Sequence, residues 1–394
     1  MSFKLVFFKL KIFLSKIKKV INSKILFSKI KRKDILIWGT PGFTYILNEK
    51  KYKFLDLKKA NVIKIWGESY HFLILLKCFL KLKFSLVDYT NEYIKIAQPK
   101  IIISFLDNYS SFYFIKKNKS QKKILIQNAT RTNEDDTFKL EKSYLKYKVD
   151  YVFCHNNQIK REYEKLLNSM AINTGSFLSN NFPINNADKK YDILYVSTFR
   201  KTNENIIKNG KITWGDYISS EKKLVKNIFN FAKKFNKKLF ILCTNKVAQK
   251  TEEELFFTQT LGKNNNWKFA KRKYGNFKQT YEIVDQSNIV VGIDSTLLYE
   301  SFGRGSKTIF FDIRPSNKYL DKTRHFGWPK KFSKIGPFWT SYNDYSFIKN
   351  ILLEVISLKK SRWMEIQKKY VDDLMNYEKN NKTFIKILEK HLSK

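Results

Sequence analysis

The sequence predicts an α/β protein made of two doubly wound parallel sheets that face each other across a cleft. Three observations carry that prediction. Short apolar, β-branched runs alternate with amphipathic stretches along most of the chain, the rhythm of parallel sheets covered by helices on both faces. Polar residues gather just past the carboxyl ends of those runs, where open α/β sheets bind ligands. A polar, asparagine-rich break, Ser179–Lys190 (SNNFPINNADKK), divides the chain and carries Pro183 but no periodicity.

Residues 1–33 hold eleven Lys or Arg and no acid before Asp34. Phe3, Phe7, Leu10, Leu14, Ile17 and Ile21 recur at four-and-three spacing, which aligns them on one helix face. The apolar run Leu5–Phe8 falls far short of the about 20 residues a spanning helix needs, and no small-residue cleavage site follows. The segment reads as a basic amphipathic helix. It either lies on an anionic membrane surface with its lysine stems snorkelling or docks on its own domain. The expected location is cytoplasmic, peripheral to the inner face of the cytoplasmic membrane under the first alternative.

In the first domain, strands are predicted over Asp34–Trp38, Asn61–Trp66, Lys83–Val87, Lys100–Phe105, Lys122–Ile126 and Val149–Cys154. One helix runs to about Leu80, and another is ended by Pro99. The exit loops supply the candidates: Glu68 after the second strand, Asp107 and Asn108 after the fourth, Gln127, Asn128 and Arg131 after the fifth, and His155 after the sixth. Each alone is more often a turn former or helix cap. Several on one sheet edge point to a site.

Beyond the break, strand Tyr191–Val196 exits into Ser197-Thr198-Phe199-Arg200-Lys201. A helix near Glu221–Phe235, strand Lys238–Cys243, a helix reaching Leu261, strand Trp267–Ala270 and helix Phe277–Asp285 follow. They lead to NIVVGIDSTLLYESFGRGSKTIFFD, Asn288–Asp312, which reads as strand, polar turn, short helix and strand. Asp294, Ser295 and Thr296 suit a helix N-cap, and the amides there form a natural phosphate seat. Glu300, one turn further, could accept two ribose hydroxyls or simply complement the helix dipole. Helices over Asp344–Leu358 and Ser361–Tyr377 complete the chain and are expected to cross back onto the first domain. The resulting organisation is residues 1–33, a Rossmann-like domain at 34–180, a second at 190–340, and C-terminal helices at 341–394.

With 394 residues, 43% hydrophobic content, 34 Phe and 22 Tyr, the chain has ample core, which excludes wholesale disorder. Its 76 Lys and Arg against 35 Asp and Glu give a net charge of +41, which favours anionic partners. The chain is also rich in Lys, Asn, Ile and Phe, a usage that AT-rich coding produces, so only clustered charge is informative. Cys78, Cys154 and Cys243 sit in apolar runs without metal-type spacing, as reduced buried thiols do. The four histidines form no HxxxH or Cys/His cluster. GxxxxGK[ST], GxGxxG and GxSxG are all missing, and Glu134-Asp135-Asp136 is no strand-end DxD. Phosphate held by backbone amides, hydroxyls and cations without a metal is therefore the expectation.

Asp294-Ser295-Thr296, Tyr299-Glu300 and Arg304-Gly305 with Lys307 match a D-S-T-x-x-Y-E-x-x-x-R-G-x-K run. In this the chain resembles GT-B glycosyltransferases, and more closely a bacterial surface-carbohydrate biosynthesis family. Further echoes are SFLDN at Ser104–Asn108, QNATR at Gln127–Arg131, DYVFCH at Asp150–His155 and GPFW at Gly336–Trp339. Ala129 departs from the glycine expected there. The resemblance implies a donor site of Asp294, Ser295, Thr296, Glu300 and Arg304, with Ser295 and Thr296 at the phosphates and Glu300 at the ribose. Arg200 or Lys201 would neutralise the leaving group.

The implied activity is transfer of a sugar from a nucleotide-activated donor to a polysaccharide or glycolipid acceptor of the cell surface, capsule or lipopolysaccharide, with the nucleotide sugar as substrate and no cofactor. The acceptor would bind the first domain, by Asn108, Gln127, Asn128 and Arg131. Asp107 is the first choice of base, with Glu68 and His155 behind it. Nucleotide-sugar epimerisation and polyol-phosphate transfer stay open on the same fold. A basic nucleic-acid-binding protein ranks well below these readings and nucleic acid is not expected as a partner, because the lysines beyond residue 33 are scattered.

Overall fold

The computed structural model describes residues 18, 20–39, 60–66, 68–131, 148–185, 187–200, 214–244, 250–263, 265–314 and 326–393. The first half contributes β1 (Lys24–Leu26), β2 (Ile35–Trp38), β3 (Ala60–Ile63), β4 (Ser69–His71), α1 (Phe72–Leu80), α2 (Leu86–Ala97), β5 (Ile101–Ser104), β6 (Lys122–Ile126), β7 (Lys148–Cys154), α3 (Asn157–Leu166), β8 (Asn168–Asn173) and α4 (Phe177–Asn180). The second half contributes β9 (Tyr191–Val196), α5 (Trp214–Lys234), β10 (Leu239–Leu242), α6 (Lys250–Leu261), β11 (Trp267–Phe269), α7 (Phe277–Asp285), β12 (Ser287–Gly292), α8 (Thr296–Gly303), β13 (Thr308–Phe311), β14 (Ile335–Gly336) and β15 (Trp339–Thr340). Helices α9 (Tyr345–Ser357), α10 (Lys360–Leu374) and α11 (Lys382–Leu392) follow.

One sheet has the order β3-β2-β5-β6-β7-β8, with every pairing parallel. The other has the order β11-β10-β9-β12-β13-β15-β14, parallel except for the last pair. Central strands are apolar on both faces because helices cover both, and Ile102, Ile103, Ile289, Val290 and Val291 have no exposed surface. The parallel register brings the carboxyl ends of neighbouring strands to a common edge in each sheet.

Four expectations are corrected. Lys83–Val87 is not a strand. Ser85 caps α2, its hydroxyl accepting the Asp88 amide at 3.0 Å while the Asp88 carboxylate accepts the Ser85 amide at 3.3 Å. That capping box outweighs the apolar run around it. Asn168–Asn173, a segment not predicted as a strand, closes the first sheet as β8; only Ala171 in it is buried, so no apolar run marks it.

The basic N-terminal helix does not extend over residues 22–33. After helical Val20 and Ile21 the chain turns, and β1 pairs with β4. Lys33 Nζ then reaches the Ala60 carbonyl at 3.0 Å, and Asn61 Nδ2 that of Lys31 at 2.9 Å. Residues 1–17 lie outside the described residues.

Ser179–Lys190, finally, is not a loose linker. Ser179 and Asn180 are buried in α4, and Arg304 holds the carbonyls of Ser179, Phe182 and Pro183 at 2.9–3.2 Å.

The C-terminal helices reach both sheets. Phe384 and Leu388 of α11 join the core beside Phe105, Phe153 and Phe177. Gly175 bridges Tyr377 with φ +79°, and a Cβ there would lie 1.9 Å from the Asn376 carbonyl oxygen. No helix among the described residues is long and apolar enough to cross a membrane.

Candidate functional site

The post-strand loops of both sheets converge on a cavity of about 540 Å³, within the usual range for small-ligand sites. From the first sheet come Gln127, Thr130 and Arg131 after β6, and His155 and Asn156 after β7. From the second come Thr198 and Arg200 after β9, Asp294, Ser295 and Thr296 after β12, and Arg314 after β13. The Thr130 amide donates to Thr296 Oγ1 at 3.1 Å, with the two hydroxyls 3.2 Å apart, so the two edges touch across the cavity.

The first-sheet wall is built on Asp107, which has no exposed surface. Its carboxylate accepts Arg131 Nε at 2.5 Å, a second bond from Arg131 Nη2, the Tyr163 hydroxyl at 2.6 Å and the Asn128 amide at 3.0 Å. Burial alone would raise its pKa. The Arg131 charge and these hydrogen bonds outweigh burial and hold the carboxyl below the usual carboxylate range. Arg131 carries the effect of Asp107 into the cavity, because Asp107 itself does not line it.

His155 is 1% exposed and lines the cavity. Its backbone is fixed on both sides: its amide donates to Gln127 Oε1 at 2.9 Å, and its carbonyl accepts the Asn376 amide at 2.9 Å. Among the described residues neither ring nitrogen has a hydrogen-bond partner. Burial pushes the imidazole down to about 4, so it is neutral at pH 7. A buried neutral imidazole thus presents two nitrogens without a protein partner at the cavity wall.

The second-sheet wall centres on Arg314. Its guanidinium donates to Asp294 at 2.9 and 3.3 Å and to Thr198 Oγ1 at 2.8 Å. Behind it, buried Glu221 accepts the Tyr195 hydroxyl at 2.8 Å and the Thr198 amide at 3.3 Å. Burial raises the Glu221 pKa against the pull of Arg314 and those bonds. Ser295 is the N-cap residue of α8, yet its side chain makes no capping bond. The helix N-terminus thus presents amides, a hydroxyl and nearby guanidinium groups to the cavity, a combination suited to phosphate.

Of the residues predicted from sequence, Gln127, Arg131, His155, Arg200, Asp294, Ser295 and Thr296 come together here, while Lys201 lies outside the described residues. Asp107, Asn108 and Asn128 stand behind or beside the wall rather than in it. Glu68 is displaced altogether: its carboxylate accepts the Trp66 amide at 3.0 Å in the turn before β4. Glu300 is 5% exposed and does accept two hydroxyls, but they belong to Ser176 and Tyr281, the latter at 2.9 Å. Burial raises its carboxyl to about 7 against those bonds and the Arg304 charge. Arg304 pairs with Asp285 at 2.5 Å, both nearly without exposed side-chain surface, and lies over Tyr281. Its work is structural. Arg314, given no role by the sequence reading, is found by the rule that picked Asp294: it stands just past a strand end.

A family described as "putative O-antigen biosynthesis protein" matches residues 124–392. No curated protein matches the sequence. Among solved structures, the fold is similar to a Listeria monocytogenes "putative UDP-N-acetylglucosamine 2-epimerase" (11% identity, TM-score 0.54, 93% of this chain and 97% of that one). It is also similar to a variant of the wall teichoic acid polymerase TagF (12%, 0.51, 92% and 90%). A third is the Methanocaldococcus jannaschii UDP-GlcNAc 2-epimerase in complex with UDP-GlcNAc and UDP (10%, 0.50, 90% and 99%). At such identity the likeness establishes the fold, which is GT-B.

Proposed function

This chain belongs to that O-antigen biosynthesis family and has the GT-B fold of surface-carbohydrate biosynthesis proteins, and from that premise we propose that it is a glycosyltransferase acting on a nucleotide-activated sugar. The observation that carries the reading is the pairing of two unlike walls in one cavity: a phosphate-suited wall of Ser295, Thr296, Arg314 and Arg200, and opposite it the buried, unpartnered imidazole of His155.

The donor diphosphate would take the amides at the start of α8, the two hydroxyls and the guanidinium groups. An acceptor hydroxyl of a surface polysaccharide or glycolipid would then attack the anomeric carbon. As the new C–O bond forms, the bond to the diphosphate breaks and its electron pair moves onto phosphate oxygen, beside Arg314 and Arg200. The hydroxyl proton passes to the neutral His155 ring, which this reading puts ahead of Asp107 and Glu68 as the base. The bound donor's negative charge raises the His155 pKa from its value in the empty cavity. Arg131, oriented by Asp107, would position the acceptor. The protein's own donors hold the phosphates, so turnover is expected to survive chelation of divalent metals.

The test is a melting screen with nucleoside diphosphates and CMP, followed by product analysis on the donor that stabilises. Stabilisation by one nucleotide, and a glycosylated acceptor whose formation falls at least a hundredfold in His155→Ala, support the proposal. Formation of an epimerised nucleotide sugar or of a polyol-phosphate product would replace it. No stabilisation by any nucleotide would refute it.

A further inference from the structure

A second cavity, of about 590 Å³, shares no lining residue with the first and is almost wholly apolar; Ile21, Ile25, Ile65, Leu76, Phe79 and Tyr89 are among its walls. The surface around it breaks the rule that large apolar side chains turn inward. Phe27 is 74% exposed, Phe79 62%, Leu80 73% and Leu82 78%. They form one face, because β1 pairs with β4 at the head of α1 and the Phe27 ring packs on Phe72 at 5.2 Å. An apolar face of this extent marks an interaction site. The cations bordering it define the partner: Lys24 of β1 and Lys77 of α1 are exposed, and Lys83 lines the groove itself.

We infer that this face seats the protein on an anionic bilayer. Helix α1 and Phe27 lie at the headgroup–acyl boundary, an acyl chain occupies the groove, and the lysines meet headgroup phosphates. Charge argues against the other occupants. A second copy docking by the same face would crowd Lys24, Lys77 and Lys83 of both copies into one interface. The N-terminal segment would add Lys4, Lys9, Lys11 and Lys16 to a surface that is already basic. The proposed contact rests on β1, α1 and the groove behind them, whichever way residues 1–17 dock, and it is independent of what the cleft transfers.

The test uses the full chain in flotation with phosphatidylcholine vesicles, with and without phosphatidylglycerol. The wild type is expected to float with the anionic vesicles and to be released by salt. Combined Phe79→Ser, Leu80→Ser and Leu82→Asn should lower partition more than tenfold without altering the melting temperature. Lys77→Gln and Lys83→Gln, which leave the apolar face intact, should each lower it about fivefold. Equal binding by the triple variant, indifference to phosphatidylglycerol, or an effect of the triple variant confined to oligomeric state would each overturn the inference.

Discussion

Replacing Asp107 by Asn separates positioning from proton transfer. The carboxylate is fully buried and neutralises Arg131, whose side chain is itself 5% exposed. Asparagine keeps an acceptor for one guanidinium N–H but leaves the charge of Arg131 uncompensated in the interior. Removing one partner of a buried pair costs about 3–5 kcal/mol. For a domain of this size each kcal/mol lowers the melting temperature by about 2–4 °C, so a fall of about 6–12 °C is expected at the lower end of that cost.

The sign with pH follows from the depressed carboxyl. A group held below its ordinary value of 3.8 stabilises the fold above that value and loses its contribution as pH falls through the folded value. The gap between wild type and Asp107→Asn should therefore be full at pH 6–8 and close only below about pH 4. Calorimetry across that range measures it. In turnover, Asp107→Asn should weaken acceptor binding through Arg131 while the pH–rate profile keeps its shape. An unchanged melting temperature would refute the buried-pair argument. Loss of a limb of the profile near neutrality would return the base to Asp107.

Glu300 titrates the opposite way. Its carboxyl is raised from 4.5 to about 7, so its contribution is present below 4.5 and is lost as pH rises through about 7; Glu300→Gln should flatten the fall in melting temperature over that window. Arg314→Met should abolish nucleotide-induced stabilisation while costing no more than about 2 kcal/mol of fold stability, since its partner Asp294 retains access to water; a thermal shift preserved in full would sink the phosphate assignment. Gly175→Ala places a Cβ 1.9 Å from the Asn376 carbonyl oxygen at φ +79° and should cost at least about 2 kcal/mol, with proteolysis near residue 376 as the readout.

The two sheets were legible because a strand buried on both faces must be apolar throughout, as Ile101–Ser104 and Ser287–Gly292 nearly are. The errors fell where a local polar device decides the backbone. Ser85 and Asp88 turn an apolar run into a helix start, and β8 pairs through its backbone with little apolar signal in its side chains. The site was partly legible for a similar reason. Strand-end position can be read from sequence, and it found Arg131, His155, Arg200 and Asp294–Thr296, the cavity wall itself.

It could not find what decides among those residues, because that depends on pairs far apart in the chain. Ser176 reaches Glu300 across 124 residues and Thr130 reaches Thr296 across 166. The first pair takes Glu300 out of the cavity; its carboxylate is suited to ribose hydroxyls, and two protein hydroxyls already occupy it. Pairing, distant for Asp107 and local for Glu68, also sorts the three candidate bases. Asp107 is consumed by Arg131 and Tyr163, and Glu68 by the Trp66 amide. His155 alone of the candidate bases reaches the cavity, with its backbone pinned by Gln127 and Asn376 and its ring unclaimed. A backbone held that firmly, with two buried ring nitrogens unpartnered among the described residues, is what supports the proposal that His155 takes the acceptor proton.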